Sequence, residues 1–116
     1  VIVTSSIILH ITHQDRWNQA QLDGAYRGDT LETEGFIHCS MPSQVVWVAN
    51  SFYHGQPSLV LLCIDPKKVH AEIKYEGVEG GEQFPHVYGA LNLDAVMDVL
   101  TFEPELDGAF TLPNLD

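Results

Sequence analysis

Basic residues are scarce in this chain. Five lysines and arginines stand against sixteen aspartates and glutamates, a net charge of −11 over 116 residues, and Arg16 and Arg27 are the only arginines. Nucleic-acid binding draws its affinity from Lys and Arg neutralising phosphates, so a chain this acidic repels DNA and RNA. Anionic membrane surfaces are disfavoured for the same reason. Long apolar runs are missing too. The longest, Ser6 to Ile11 and Leu59 to Ile64, are strand-sized and far short of a bilayer span. The first residues lack the basic start, apolar stretch and small-residue cleavage site of a secretory signal. Two cysteines, Cys39 and Cys63, make no disulfide framework, and both fall in strand-like runs where a thiol packs as a small buried side chain. A cytoplasmic protein with no nucleic-acid or membrane partner is expected.

What remains is ample for a core. Apolar residues make up 45% of the chain, and a domain of this size hides roughly two-thirds of its unfolded surface without a disulfide or structural metal. The length fits one domain. Its core is expected over about residues 6–102, with an acidic, solubilising tail at 103–116 and further solvated charge at Glu72 to Glu82. No repeat is visible, and no low-complexity stretch longer than the Gly/Glu loop near position 80.

Ser6 to Ile11 reads as a buried strand. Thr12 and Asp15 have capping-box-like spacing for a helix from His13 to about Leu22, with Trp17 inward and a stop near Gly24. Tyr26 to Thr33 reads as a polar connection. Gly35 to Ser40 reads as a strand whose alternation sends Phe36, His38 and Ser40 to one face. Pro42 and Ser43 open a helix to about His54 that buries Val45, Val46, Ala49, Phe52 and Tyr53, with Trp47 in the core. Leu59 to Ile64, apolar throughout, predicts a central strand covered on both faces. Glu72 to Glu76 follows as a half-exposed strand, Gly77 to Pro85 as a loop, His86 to Tyr88 as a strand fragment and Ala95 to Phe102 as a closing strand. Irregular mixing of strands and helices predicts an α+β fold.

Three segments pair a histidine with a hydroxyl-bearing residue two positions on: His10-Ile-Thr12, His38-Cys-Ser40 and His86-Val-Tyr88. In extended chain each pair projects to one face, so three strands can bring His10, His38 and His86 to one cleft. Each alone reads more readily as a core histidine bonded to backbone, and it is the threefold repeat that favours a cleft. A three-histidine metal site is a further reading, but HxH, HExxH and CxxC spacings are absent and no metal ligand is assigned. Cys39 and His38, as strand neighbours, face apart and cannot act as a nucleophile–base pair. Ser40 lies better beside His38 but lacks a nucleophile-elbow motif. The Glu79 to His86 loop joins flexible glycines to a fixed proline and an aromatic, as pocket-covering loops do. Without a following Lys, and with two carboxylates, it is no phosphate cradle.

The segments LHIT (Leu9 to Thr12), EGFIHCS (Glu34 to Ser40) and FPHVYGALNLDAV (Phe84 to Val96) resemble a small, mainly bacterial family, domain of unknown function 952. Asp23 to Tyr26 and the LVLLCIDP run at Leu59 to Pro66 fit the same resemblance, which extends to about Phe102. It implies a compact ADP-ribosyltransferase-like fold: two small, mainly antiparallel sheets forming a cleft, with two or three short helices. Leu-His-x-Thr is similar to the first-strand His-Gly-Thr or His-Gly-Ser of poly(ADP-ribose) polymerases and RNA 2′-phosphotransferases. By that similarity His10 and Thr12 hold the ligand, Phe36 or Tyr88 stacks on a ring, Ser40 adds a polar contact, and Arg27 is the partner for a pyrophosphate. Those transferases carry a glutamate on a late strand. The corresponding stretch here offers His86, with Glu82 four residues earlier, so His86, Glu82 and His38 are the candidate catalytic residues. The implied ligand is NAD or an ADP-ribose-type nucleotide, as substrate for transfer or hydrolysis. A non-catalytic module for another metabolite or a protein partner is the alternative, and a histidine-ligated metal hydrolase the third expectation.

Overall fold

The most apolar run of the sequence becomes the centre of a sheet. In the computed structural model, which describes residues 7–77 and 80–115, β1 (Ile8–His13), β4 (Leu59–Ile64) and β8 (Val96–Phe102) pair antiparallel in the order β1-β4-β8. All six residues of β4 are buried, and alternation divides them. Val60, Leu62 and Ile64 pack with Ile8, Trp17, Tyr26, Ile37, Val87 and Leu91 on one side. Leu59, Leu61 and Cys63 pack with Leu9, Ile11, Val45, Ala49, Phe102 and Phe110 on the other. A strand covered on both faces cannot alternate apolar with polar residues, which is why the run is continuous.

A second antiparallel sheet, ordered β3-β6-β5, contains β3 (Ile37–His38), β5 (Glu72–Gly77) and β6 (Gln83–Tyr88). A two-stranded ribbon pairs β2 (Ala25–Tyr26) with β7 (Leu91–Asn92). The described residues therefore form three antiparallel sheets rather than two. Three helices accompany them: α1 (Gln14–Asp23), α2 (Leu31–Glu34) and α3 (Val45–Phe52). The result is the α+β arrangement expected from the sequence.

Several local expectations are corrected. Thr12 does not cap α1: the N-cap is His13, without a side-chain bond, because the Thr12 hydroxyl is engaged with Tyr26. Gly24 ends α1 at φ 85°, a left-handed conformation that glycine adopts without steric cost. The polar connection holds the one-turn α2. The expected Gly77 to Pro85 loop is shortened at both ends, because β5 runs to Gly77 and β6 begins at Gln83; Val78 and Glu79 of that loop lie outside the described residues. A Cβ on Gly77 would stand 2.1 Å from the Glu82 carbonyl oxygen, so the two strands close on each other only over a glycine. Helix α3 buries Val45 and Ala49 but leaves Trp47 61% and Phe52 67% exposed. The 103–115 stretch has no regular structure, yet Phe110 is only 2% exposed and stacks on Phe102 at 4.8 Å. No helix among the described residues is long and apolar enough to cross a membrane.

Candidate functional site

The two three-stranded sheets meet at Ser40. Leu9 and Ser40 exchange backbone hydrogen bonds of 2.8 and 2.7 Å, and Cys39 N–H donates to the Pro85 carbonyl at 2.9 Å. Within the second sheet His38 lies directly opposite His86, and Lys74 lies opposite His86 on the other side. Alternation along β6 sends Pro85 and Val87 into the core and leaves Phe84, His86 and Tyr88 on the opposite face. Helix α3 is tied alongside by buried Gln44, whose side chain accepts from Met41 N–H at 2.9 Å and donates to the Gln83 carbonyl at 2.8 Å.

His10 sits at the junction, buried with both ring nitrogens engaged. Nδ1–H donates to the His38 carbonyl, which can only accept. The neutral ring then presents Nε2 as an acceptor, and the Tyr26 hydroxyl, 2.7 Å away, donates to it. Thr12 Oγ1 lies 2.9 Å from the same phenol oxygen and completes the chain with its own proton. Burial holds the His10 pKa down at about 4, against the opposing pull of the His38 carbonyl and Asp29. Burial likewise pushes Tyr26 up to about 12, so the phenol keeps its proton. The Cys39 thiol is pushed up to about 12 by burial alone and is no thiolate nucleophile at neutral pH.

A second polar cluster lies on the exposed face of the β3-β6-β5 sheet. Glu76 accepts from His86 Nδ1–H at 2.9 Å and from the Tyr88 hydroxyl. Those two bonds, Tyr88 first and His86 second, hold the Glu76 carboxyl below its usual range, and the bond to Glu76 raises Tyr88. Phe36 stacks on the His86 ring at 4.1 Å, and the His38 ring stands edge-on to it at 5.1 Å. His38 Nε2 in turn lies 3.2 Å from the Glu34 carboxylate. With Nδ1 committed, His86 Nε2 has no hydrogen-bond partner among the described residues. The His86 side chain lines the cleft and is 13% exposed. A carboxylate that fixes one imidazole nitrogen and leaves the other open is the arrangement of an acid–base pair.

These residues border one cleft of about 640 Å³, a volume ordinary for small-molecule sites. Its polar part holds His10, His38, His86, Asp29, Glu34 and Glu76. Its apolar part comes from Leu9 and Ile11 of β1, Phe84 of β6, and Trp47, Val48 and Phe52 of α3. No lysine or arginine is among the lining residues.

A family model described as a protein of unknown function (DUF952) matches residues 11–99. The chain belongs to this family. Crystal structures of protein CC0527 from Caulobacter crescentus, native and double mutant, each share 30% identity and a TM-score of 0.84 with it, over 91% of this chain and 94% of theirs. The solution NMR structure of CC0527 gives 30% identity and a TM-score of 0.78, over 90% of each chain. All three come from the Northeast Structural Genomics Consortium. No curated protein matches.

The residues expected from the sequence are distributed unevenly around this DUF952 cleft. His10, His38, His86 and Ser40 line it together. Phe36 and Tyr88 stand behind it, the first stacked on His86 and the second bonded to Glu76. Thr12 is buried beneath His10. Arg27 and Glu82 are exposed and outside the lining. Among the described residues no group of three or more His, Cys, Asp or Glu is placed to hold a metal ion. Glu76 was the residue hidden from sequence reading, because it belongs to a charged strand that reads as a solvated face. Its signal was period 2: Glu72, Lys74 and Glu76 share a face, and hairpin pairing with β6 lays that face beside His86. Tyr26, the partner of His10, carried no signal beyond its place in a turn-like segment.

Proposed function

We propose that the cleft binds an N-ribosyl nucleotide of the NAD or ADP-ribose class, the base and its ribose inside and the phosphates outside. The Glu76–His86 pair then serves transfer or hydrolysis at the ribose. The observation that carries this reading is His86, oriented through Nδ1 by Glu76 and open at Nε2. In hydrolysis the C1′–N bond breaks and its electron pair leaves with the base. Water adds to C1′, and its proton passes to His86 Nε2. The carboxylates of Glu34 and Glu76 offset the positive charge that develops at the sugar. Glu76 thus supplies the late-strand carboxylate that the resemblance to ADP-ribosyltransferases calls for. Phe36 and His38 pack on the His86 ring and hold it in place, and His10 and Thr12 act by fixing the β1–β3 junction.

An ADP-ribosyltransferase-like fold is part of the same proposal, supported by a cleft at the meeting of two antiparallel sheets. A cytoplasmic setting goes with it, since Cys39 and Cys63 are both free thiols and suit a reducing compartment. A second reading, a non-catalytic module for a phosphate-free metabolite or a protein partner, is favoured by the lack of Lys or Arg in the lining.

Titration calorimetry and a turnover assay with NAD, ADP-ribose and nicotinamide riboside test the two. Saturable binding by the wild type, with turnover reduced at least about 100-fold in His86→Ala and in Glu76→Gln, supports the catalytic reading. Binding of nicotinamide riboside alone, without turnover, transfers the cleft to the second reading, and binding of NAD or ADP-ribose without turnover removes only the catalytic role. No binding of any of the three ligands overturns the nucleotide assignment.

A further inference from the structure

We propose that the cleft selects an organic cation, recognising the oxidised, positively charged pyridinium ring of an N-ribosyl compound against α3 and excluding its phosphates. This rests on the reading of the cleft as an N-ribosyl site and names the part of the ligand that is recognised.

Two independent features point to that charge. The first is the apolar wall. Trp47 and Phe52, 61% and 67% exposed, are the large aromatics that α3 leaves uncovered beside the cavity. Their rings are 6.1 Å apart at 83°, two perpendicular walls of a corner. Aromatic faces attract cations through the ring quadrupole, most strongly Trp, and such corners are how quaternary ammonium and pyridinium groups are held. The second is the charge opposite. Asp29, Glu34 and Glu76 line the cleft and no Lys or Arg does, so an anionic group entering it meets three like charges. The molecule's −11 adds a long-range field of the same sign. Asp29 makes itself felt at Tyr53, which also lines the cleft, raising its phenol in addition to the effect of burial and against the opposing charge of Arg16. A neutral ring gains only dispersion at the corner, whereas a pyridinium gains both the aromatic face and the carboxylates.

Calorimetry with matched pairs isolates the ring charge: 1-methylnicotinamide against nicotinamide, and nicotinamide riboside against its reduced, uncharged form. The cationic member of each pair is expected to bind at least ten-fold tighter. That preference should shrink several-fold in Trp47→Leu and in Glu34→Gln, both at exposed positions where folding is unaffected. Equal affinity of both riboside forms overturns the cation inference and leaves the N-ribosyl reading standing. Tight binding of 1-methylnicotinamide, with nothing gained from the ribose, upholds the cation inference and overturns the N-ribosyl reading. If no probe binds, both fall.

Discussion

His10 binds a backbone carbonyl through one nitrogen and a buried phenol through the other, and this network works only with a neutral ring. The consequence is a defined dependence of stability on pH. The unfolded chain protonates His10 near its ordinary 6.5, the folded chain only near about 4. Between those values the unfolded state binds more protons, so the contribution is complete above pH 6.5 and is lost as pH falls toward 4. The loss is about 3 kcal/mol in total. Replacing the ring by an amide that does not titrate removes this dependence. Urea unfolding at pH 7 and pH 4.5 should therefore show the wild type losing about 2–3 kcal/mol more than His10→Gln over that interval. Equal losses in the two proteins would mean that the ring is charged in the fold.

Between residue and molecule stands β4, whose register with β1 sets His10 opposite Leu62 and fixes the side on which the histidine emerges. Leu62 is fully buried, and truncating such a leucine costs about 2–5 kcal/mol through lost transfer energy and the cavity left behind. Leu62→Ala should lower the melting midpoint by more than 8 °C, about 4 °C for each kcal/mol in a domain of this size. A drop under 2 °C would show that the strand is not the core element described. This strand was legible because burial on both faces leaves an unbroken apolar run, and α1 was legible from its inward Trp17 and its stop at Gly24, though not from the cap expected at Thr12. What was not legible depends on pairing. Ala25–Tyr26 and Leu91–Asn92 are two-residue strands, too short for any period. Trp47 was expected inside because aromatics on a helix are usually core, yet α3 has only eight residues and meets the sheet along Val45 and Ala49. The three histidines could be placed on one cleft by alternation. Glu76 could not be joined to them, because the β5–β6 register follows from a hairpin whose closure depends on the bare backbone of Gly77.

On the scale of the whole molecule, the end of the chain belongs to the architecture that holds the cleft open. Helix α3 stands between two masses: its Trp47 and Phe52 border the cavity, while Val45 and Ala49 pack into the cluster that contains Phe110. Asn50 of the same helix accepts from Phe110 N–H at 2.7 Å, and Gly55 N–H donates to the Gly108 carbonyl at 2.9 Å. A merely solubilising acidic tail would tolerate substitution of its one aromatic residue within about 0.5 kcal/mol. A docked tail loses a stacked, buried ring, and Phe110→Ala should cost about 3–5 kcal/mol. Because the lost contact supports α3, the same variant should also raise the exchange rates of α3 amides more than those of β5 and β6, as read by hydrogen exchange. Unchanged stability would return residues 103–115 to the role of a solvated tail. A loss of stability with uniform exchange would place Phe110 in the core without giving it a part in setting the aromatic wall of the cleft.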